Sequence, residues 1–529
     1  MLATVLSATV HGLEGRVIRV EVDVAPGLPG FSIVGLADAA LLEARERVRG
    51  AIRNSGFAFP PRRITVNLAP ADLRKAGASL DLGIALGILL GSEQVTATRG
   101  RWGLVGELSL GGEVRYVPGL LPMLVSLARR GVRRAIVPAD GVAEARLVAG
   151  IESHPAATLA EAIELVRAPR TRPASRGAHP ARVELTGDDE AAIPPDEEPH
   201  DGLQAVAQPG WPDLAEVRGQ SEARRALEIA LAGGHGLLMI GPPGCGKTLL
   251  ARTIPGLLPP LDDEEALRAT IVESVAARAP VQGLVRRRPF RAPHHTVSYA
   301  GMVGGGPRLS PGEVTMAHDG VLFLDELPEF DRDVLEALRE PLEEGSIAIT
   351  RVGRATVFPA RFQLVGAMNP CPCGRTGSET EACRCPTGVP ARYAARISGP
   401  FRDRIDLWVE MSRVPPGDLV SVPAPESSAA VALRIADARV RQAARPASNG
   451  RLSGRRLLAA ASLSSEASQT LVALANLESL SARGTERLLR VARTIADLAN
   501  EERVTSAHLK EAARFRSPAR RMADVVARG

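Results

Sequence analysis

The run Gly241-Pro242-Pro243-Gly244-Cys245-Gly246-Lys247-Thr248 holds the residues whose chemistry is plainest. Its glycines let backbone N–H groups close around phosphate oxygens, and a helix starting behind them adds the positive end of its dipole. Lys247 is placed to reach the β- and γ-phosphates of a nucleoside triphosphate, and the Thr248 hydroxyl to ligate magnesium. Cys245 occupies a slot that takes any small residue. Further on, four apolar residues, Val321 to Leu324, end in Asp325-Glu326. In that pair Asp325 would hold magnesium through water, and Glu326 would orient and polarise an attacking water. A third group, Asn369, follows the apolar stretch FQLVGA and Met368. There it would hydrogen-bond the lytic water or the γ-phosphate; an Asn-Pro turn is the plainer alternative.

Four of the five cysteines crowd behind Asn369, as Cys371-Pro-Cys373 and Cys383-Arg-Cys385. Two C-x-C pairs can offer four thiolates to one tetrahedral zinc ion, although C-x₂-C is the usual spacing, and free or redox-active thiols are the alternative. Zinc here would be a structural staple, since hydrolysis lacks no group that it would add.

These side chains need an open parallel sheet, because such sheets bind ligands in the crevice beyond the carboxyl ends of their strands. Gly236 to Ile240 reads as a buried strand entering the glycine-rich loop, and LLARTI as the helix leaving it. The fold expected is α/β, with a P-loop core over about 211–412. From about 413 to 529 the chain is rich in Ala, Leu and Arg, and Leu488, Val491, Ala492, Ile495, Leu498 and Ala499 share one helical face, so a helical lid is expected. Residues 1–166 mix strand-like stretches (Val17–Val24, Ile64–Leu68, Ala135–Val137) with helical ones (Ala37–Ser55, Ser79–Leu90). Between the blocks, 167–210 is first basic and then acidic, Pro-rich throughout, and reads as a flexible linker.

Composition sets the outer bounds. With 45% hydrophobic and 24% charged residues over 529 positions, the chain is an ordinary globular protein of several domains. No apolar run reaches the roughly 18 residues of a membrane span. The longest, Leu80 to Leu90, carries Asp81 just inside its start. A cytoplasmic protein with reduced thiols, off the membrane, is expected. A net charge of +5 does not by itself indicate nucleic acid, so any basic footprint must be local.

The segments GGHGLLMIGPPGCGKT, FRAPHHT, PGEV, AHDGVLFLDELPEF, GAMNPCPCG and ISGPFRDRIDL together resemble the magnesium-chelatase-like AAA+ ATPases, and more narrowly the YifB/ComM family. The resemblance implies ATP and magnesium as cofactors and a homo-hexameric ring. It places Arg404 as the arginine finger that reaches a neighbouring subunit's ATP, a surface ion pair with Asp403 or Asp406 being the alternative. Arg483 matches the lid arginine called sensor-2, with Arg487 and Arg490 as alternatives on the same face. The first block resembles a Lon-protease-like domain in which Ser79 falls at the nucleophile. However, Leu121 follows Gly119-Leu120 where that family has its lysine base, so a non-proteolytic scaffold is expected. For DNA as partner, the resemblance points to a hairpin at Ile347–Phe358 carrying Arg351 and Arg354, and to the basic run Arg286–Arg291 where this clade inserts a further hairpin. His294 and His295 could alternatively bind metal. A branch-migration translocase and a chelatase-like remodeller of a protein partner are the two functions implied.

Overall fold

Alternation builds the first sheet. Strands β1 (Leu2–His11) and β2 (Glu14–Ala25) form an antiparallel pair, and along β2 every second residue, Ile18, Val20, Val22 and Val24, is buried. The computed structural model describes residues 1–35, 39–71, 75, 77–96, 101–167, 210–276, 279–306, 309–351, 354–376, 382–415, 417 and 425–516, the side chains at 39–42, 351 and 354 excepted. With β3 (Gly30–Val34), β4 (Arg63–Ala69), β5 (Trp102–Leu104), β6 (Arg134–Pro138) and β7 (Glu152–Ala156), the sheet runs β3-β4-β2-β1-β5-β6-β7. Helices α1 (Ala39–Asn54) and α2 (Asp81–Gly91) pack with the buried face of β2, and α3 (Leu120–Arg129) covers the opposite face. Helix α4 (Leu159–Arg167) closes this unit. The expected strands at 17–24, 64–68 and 135–137 lie inside β2, β4 and β6, and the two expected helices are α1 and α2. The linker expected over 167–210 falls at 168–209 on residues outside those described.

The second unit has a five-stranded sheet. Helix α5 (Ser221–Gly233) leads into β8 (Leu237–Ile240), followed by α6 (Lys247–Arg252), α7 (Asp263–Ala276), β9 (Phe290–Arg291) and β10 (Val321–Leu324). Helices α8 (Arg332–Ala337) and α9 (Arg339–Glu344) then deliver the hairpin of β11 (Ser346–Arg351) and β12 (Arg354–Pro359). Strands β13 (Gln363–Met368) and β14 (Leu407–Glu410) complete the sheet, ordered β9-β10-β13-β8-β14 with every neighbouring pair parallel. Strands β8, β10 and β13 are buried on both faces and read as apolar runs, broken only by Gln363 at the start of β13, as parallel strands do when both faces are covered. Leu237, Met239, Phe323 and Val365 face one core; Leu238, Ile240, Leu322 and Leu364 face the other.

The third unit is helical: α10 (Ser428–Ala443), α11 (Gly454–Ala461), α12 (Ser465–Leu477), α13 (Ala482–Leu498) and α14 (Ser506–Arg514). Its apolar faces share the Leu237 side of the sheet, where Leu488, Val491 and Ile495 join the same core. Buried His235, just before β8, meets the Thr494 hydroxyl of α13 at 2.7 Å, and the Trp408 N–H of β14 donates to Phe515 at 2.8 Å.

The first unit is anchored to the second through Glu144. This fully buried carboxylate accepts from the Tyr116 hydroxyl and the Leu121 N–H on its own side (both 2.9 Å), and from the Ser274 hydroxyl (2.6 Å) and the Val281 N–H (3.2 Å) across the boundary. Among the described residues no helix is long and apolar enough to cross a membrane.

Candidate functional site

Strand β8 lies between β13 and β14, so the chain leaving its carboxyl end enters the crevice where sequential connections diverge to either side. That exit is the loop Gly241–Gly246, with Gly244 and Gly246 in the left-handed region at φ +78° and +96°, and α6 starts at Lys247. Gln220, ahead of α5, donates its side-chain amide to the Cys245 carbonyl at 3.1 Å and so ties the loop's far side to the body of the unit.

Three separately expected elements meet here. The Lys247 ammonium is buried and donates to the carbonyls of Gly241 (2.7 Å) and Pro242 (3.0 Å) and to Asn369 Oδ1 (3.1 Å). Thr248 Oγ1 donates to Asp325 Oδ2 at 2.6 Å. The ends of β8, β10 and β13 are thereby laced together through the groups expected to touch phosphate and cation. A hydroxyl and a carboxylate oxygen this close form the oxygen donor set of a hard divalent cation, so the residues fit magnesium. Glu326 sits at φ +52°, which turns its half-exposed side chain out of the strand direction, and its Oε2 lies 3.5 Å from His295 Nδ1. The His294 ring lies 4.1 Å from that of His295, tilted by 34°, so the pair belongs to the surroundings of Glu326.

Tyr393 is a neighbour that the sequence did not single out. Burial, then the charges of Glu329 and Glu326, push its hydroxyl up to about 12, against smaller lowering effects of Arg396 and of the Asn369 backbone. It therefore stays protonated beside Asn369 and Glu326. Burial likewise raises the Cys245 thiol, against the lowering effect of Lys247, and keeps that thiol neutral inside the loop.

The arginines separate by environment. Arg404 is largely buried in the isolated chain and donates to Glu343 of α9 and to the Pro400 carbonyl; its ion-pair partner is Glu343, not Asp403 or Asp406. Of the three lid arginines, Arg487 is buried against Asp403 at 3.5 Å, and Arg490 donates to the Leu452 and Gly450 carbonyls. Arg483, in the first turn of α13, is exposed. The hairpin expected at Ile347–Phe358 is β11–β12, paired in register from Ser346↔Pro359 to Arg351↔Arg354. The side chains of Arg351 and Arg354 lie outside those described. The basic run is not itself a hairpin; the antiparallel pair in this segment comes later, between Gly304–Gly305 and Ser310–Pro311. Phe290–Arg291 is the edge strand β9, and Arg286, Arg288 and Arg291 pair with Asp263, Glu265 and Glu313.

The expected thiol cluster also assembles. Sγ of Cys371 lies 3.4 Å from that of Cys373 and 3.8 Å from that of Cys383, Cys373 and Cys383 are 3.6 Å apart, and all four sulfurs, Cys385 included, fall within 4.8 Å of one another. In the first unit the buried Ser79 hydroxyl donates to the Ala8 carbonyl at 3.0 Å, and Leu121 is fully buried.

A parallel sheet of this order, with a glycine-rich loop, an acidic pair and a polar strand end at one edge, is consistent with the core of an AAA+ P-loop ATPase. Family models agree along the chain: "Magnesium chelatase, subunit ChlI" matches residues 213–419, "Subunit ChlI of Mg-chelatase" residues 20–141, and "Magnesium chelatase, subunit ChlI C-terminal" residues 425–516. The chain is 43% identical over 519 residues to the uncharacterized protein YifB of Escherichia coli (98% of this chain, 97% of the relative). It is 39% identical over 524 residues to the competence protein ComM of Haemophilus influenzae, covering 98% of each. The magnesium-chelatase 67 kDa subunit of Heliobacterium mobile is 28% identical over 186 residues, 30% of this chain. The chain therefore belongs to the YifB/ComM family of ChlI-like ATPases.

Proposed function

We propose that this protein is the subunit of a homo-hexameric, ATP-driven ring that moves along DNA, acting on branched or single-stranded intermediates of recombination or natural transformation. In this reading Lys247 and the loop amides would hold the triphosphate, and Thr248 and Asp325 would hold magnesium, which would supply positive charge against the developing negative charge of phosphoryl transfer. Glu326 takes up the proton of the attacking water while Asn369 and Tyr393 orient it. Arg404 exchanges Glu343 for the neighbouring subunit's nucleotide, and Arg483 approaches the phosphates from the lid. The first unit serves as a Lon-like scaffold without protease chemistry, since the Ser79 hydroxyl is engaged by β1 and Leu121 supplies no base.

The observation that carries the DNA reading is the hairpin β11–β12, whose two strands converge on Arg351 and Arg354 at its tip. In a ring each subunit would present the same pair toward the centre. A near full-length likeness to a competence protein supports the same reading. The likeness to chelatase ChlI subunits, carried by the family models and by an alignment over 30% of this chain, favours a second one: remodelling of a protein partner.

The test measures ATPase rate with and without branched DNA at two salt concentrations, in the unaltered protein and in the Arg351→Ala/Arg354→Ala double variant. Phosphate contacts release counterions, so stimulation should fall steeply with salt and ignore base order. The double variant should keep its basal rate and lose both the stimulation and the salt slope. If no DNA changes the rate of the unaltered protein, the translocase reading fails.

A further inference from the structure

The thiol cluster does more than close a surface loop. In a tetrahedron with metal–sulfur bonds of about 2.3 Å, the sulfurs stand about 3.8 Å apart. Cys371, Cys373 and Cys383 already have that spacing, at 3.4, 3.6 and 3.8 Å, and Cys385 lies within the same sphere. None of these separations approaches the roughly 2 Å of a disulfide, and all four cysteines are free. Donors surround the sulfurs as they do around metal-bound thiolates. The Thr376 N–H reaches Cys371 at 3.4 Å, and the Thr376 hydroxyl reaches Cys383 at 3.1 Å. Four soft sulfurs with no oxygen ligand select zinc over magnesium or calcium.

The cluster is built into the edge of the nucleotide site. Cys371 is fully buried and lies two residues after Asn369, whose amide oxygen accepts from Lys247. Gly374, inside the first thiol pair's turn, adopts φ +74° and donates its N–H to the Cys371 carbonyl at 2.9 Å. A Cβ at Gly374 would lie only 2.3 Å from Cδ of Pro243, so the turn rests directly on the phosphate-binding loop. We propose that Cys371, Cys373, Cys383 and Cys385 bind one zinc ion, and that the bound zinc holds Asn369 and the Pro243 side of the loop in register for nucleotide. The second half of this proposal rests on reading Gly241–Thr248 as the nucleotide site.

The full chain, purified without chelator, should contain about one zinc per chain by elemental analysis. The double variant Cys373→Ser/Cys383→Ser should lose the zinc and bind the fluorescent analogue mant-ATP at least about tenfold more weakly. Gly374→Ala keeps all four thiols, so it should retain zinc and still weaken mant-ATP several-fold by pressing on Pro243. Zinc near zero in the unaltered chain, or iron in its place, overturns the metal site. Zinc-free protein with unchanged mant-ATP affinity overturns the coupling. Should the serine variant unfold by circular dichroism, the unaltered chain stripped of zinc by chelator decides: mant-ATP affinity unchanged after zinc loss refutes the coupling, and affinity lost with the zinc and restored by its return upholds it. Full zinc in a chain that never binds mant-ATP would refute the nucleotide-site reading while leaving the metal site standing.

Discussion

Replacing Glu144 with glutamine should loosen the first unit from the ATPase unit. The carboxylate is fully buried and accepts four hydrogen bonds, of which those from Ser274 at 2.6 Å and Val281 at 3.2 Å cross the boundary. The other two come from the Leu121 N–H and from Tyr116, whose hydroxyl burial and then the Glu144 charge hold firmly protonated. Hydrogen bonds to a charged acceptor contribute about 1.5–3 kcal/mol each, so the crossing pair is worth about 3–6 kcal/mol. Desolvating the carboxylate offsets part of this, which favours the lower end, near 3 kcal/mol. The amide keeps the volume but presents an NH₂ group to donors that need an acceptor. For a unit of this size that corresponds to a melting temperature about 6–12 °C lower for the first unit. Scanning calorimetry should therefore separate an early transition from the ATPase transition, and limited proteolysis should release the first unit sooner. Ser274→Ala, which deletes one crossing bond, should give roughly half the shift. A single transition within about 1 °C of the unaltered protein would refute the anchoring role.

Hydrolysis should need both sides of a subunit interface: Lys247→Ala abolishes nucleotide binding, while Glu326→Gln binds ATP but turns it over about 10²–10⁴-fold more slowly. Arg404→Ala should bind normally and hydrolyse about 10³–10⁵-fold more slowly, and its mixtures with Glu326→Gln subunits should depart from simple averaging. A full rate for Arg404→Ala in dilute solution would exclude a shared site. Acid should weaken the fold through His318, whose ring burial pushes down to about 4, with Arg361, Arg268 and Arg451 adding to the effect against Asp319. A depressed base is neutral when folded and charged when unfolded between about pH 4 and 6.5, so stability falls as pH drops through that window, by about 3 kcal/mol at most. His318→Gln should flatten this part of the stability–pH curve, and an unchanged difference between pH 7 and pH 4.5 in urea titrations would contradict the assignment.

The nucleotide loop is legible because its requirements are local: a buried strand, glycines free to take positive φ, then a helix start, all within about a dozen residues. Strand β10 and its acidic pair are legible for the same reason, as is hairpin β11–β12, where two alternating runs flank a glycine-containing turn. What the sequence conceals is contact between distant segments. Gly374 against Pro243, Glu144 against Ser274, and His295 beside Glu326 each join residues with no shared local pattern. Charge misleads in a related way. Arg286–Arg291 looks like a basic surface in one dimension, yet Arg286, Arg288 and Arg291 meet carboxylates on α7 and at Glu313. The edge strand β9 is only two residues long and has too little pattern to be separated from its basic flanks.

One path through the second unit links these observations. Glu326 is followed by a 3-10 turn (Leu327–Glu329) and then by the two short helices α8 and α9, and α9 delivers β11, so a short, mostly helical segment bridges Glu326 and the hairpin. That bridge is packed, because Leu335 and Leu338 share a core with Leu322 and Leu324 of β10 and with Ile347 and Phe358 of the hairpin. Arg404 touches the same bridge through Glu343. Under the proposed function, Arg404 leaving Glu343 for a neighbour's nucleotide would remove a restraint from α9 while Glu326 is engaged at the bridge's other end. The hairpin base rests in turn on the first unit, where Gly12 leaves room for Thr356 and Leu13 joins the same core. A stroke arising at the nucleotide would thus be delivered between two supports, the sheet behind and the first unit beside. If the proposed ring motor is correct, Glu144, which holds that second support in place, would serve the stroke as well as the fold.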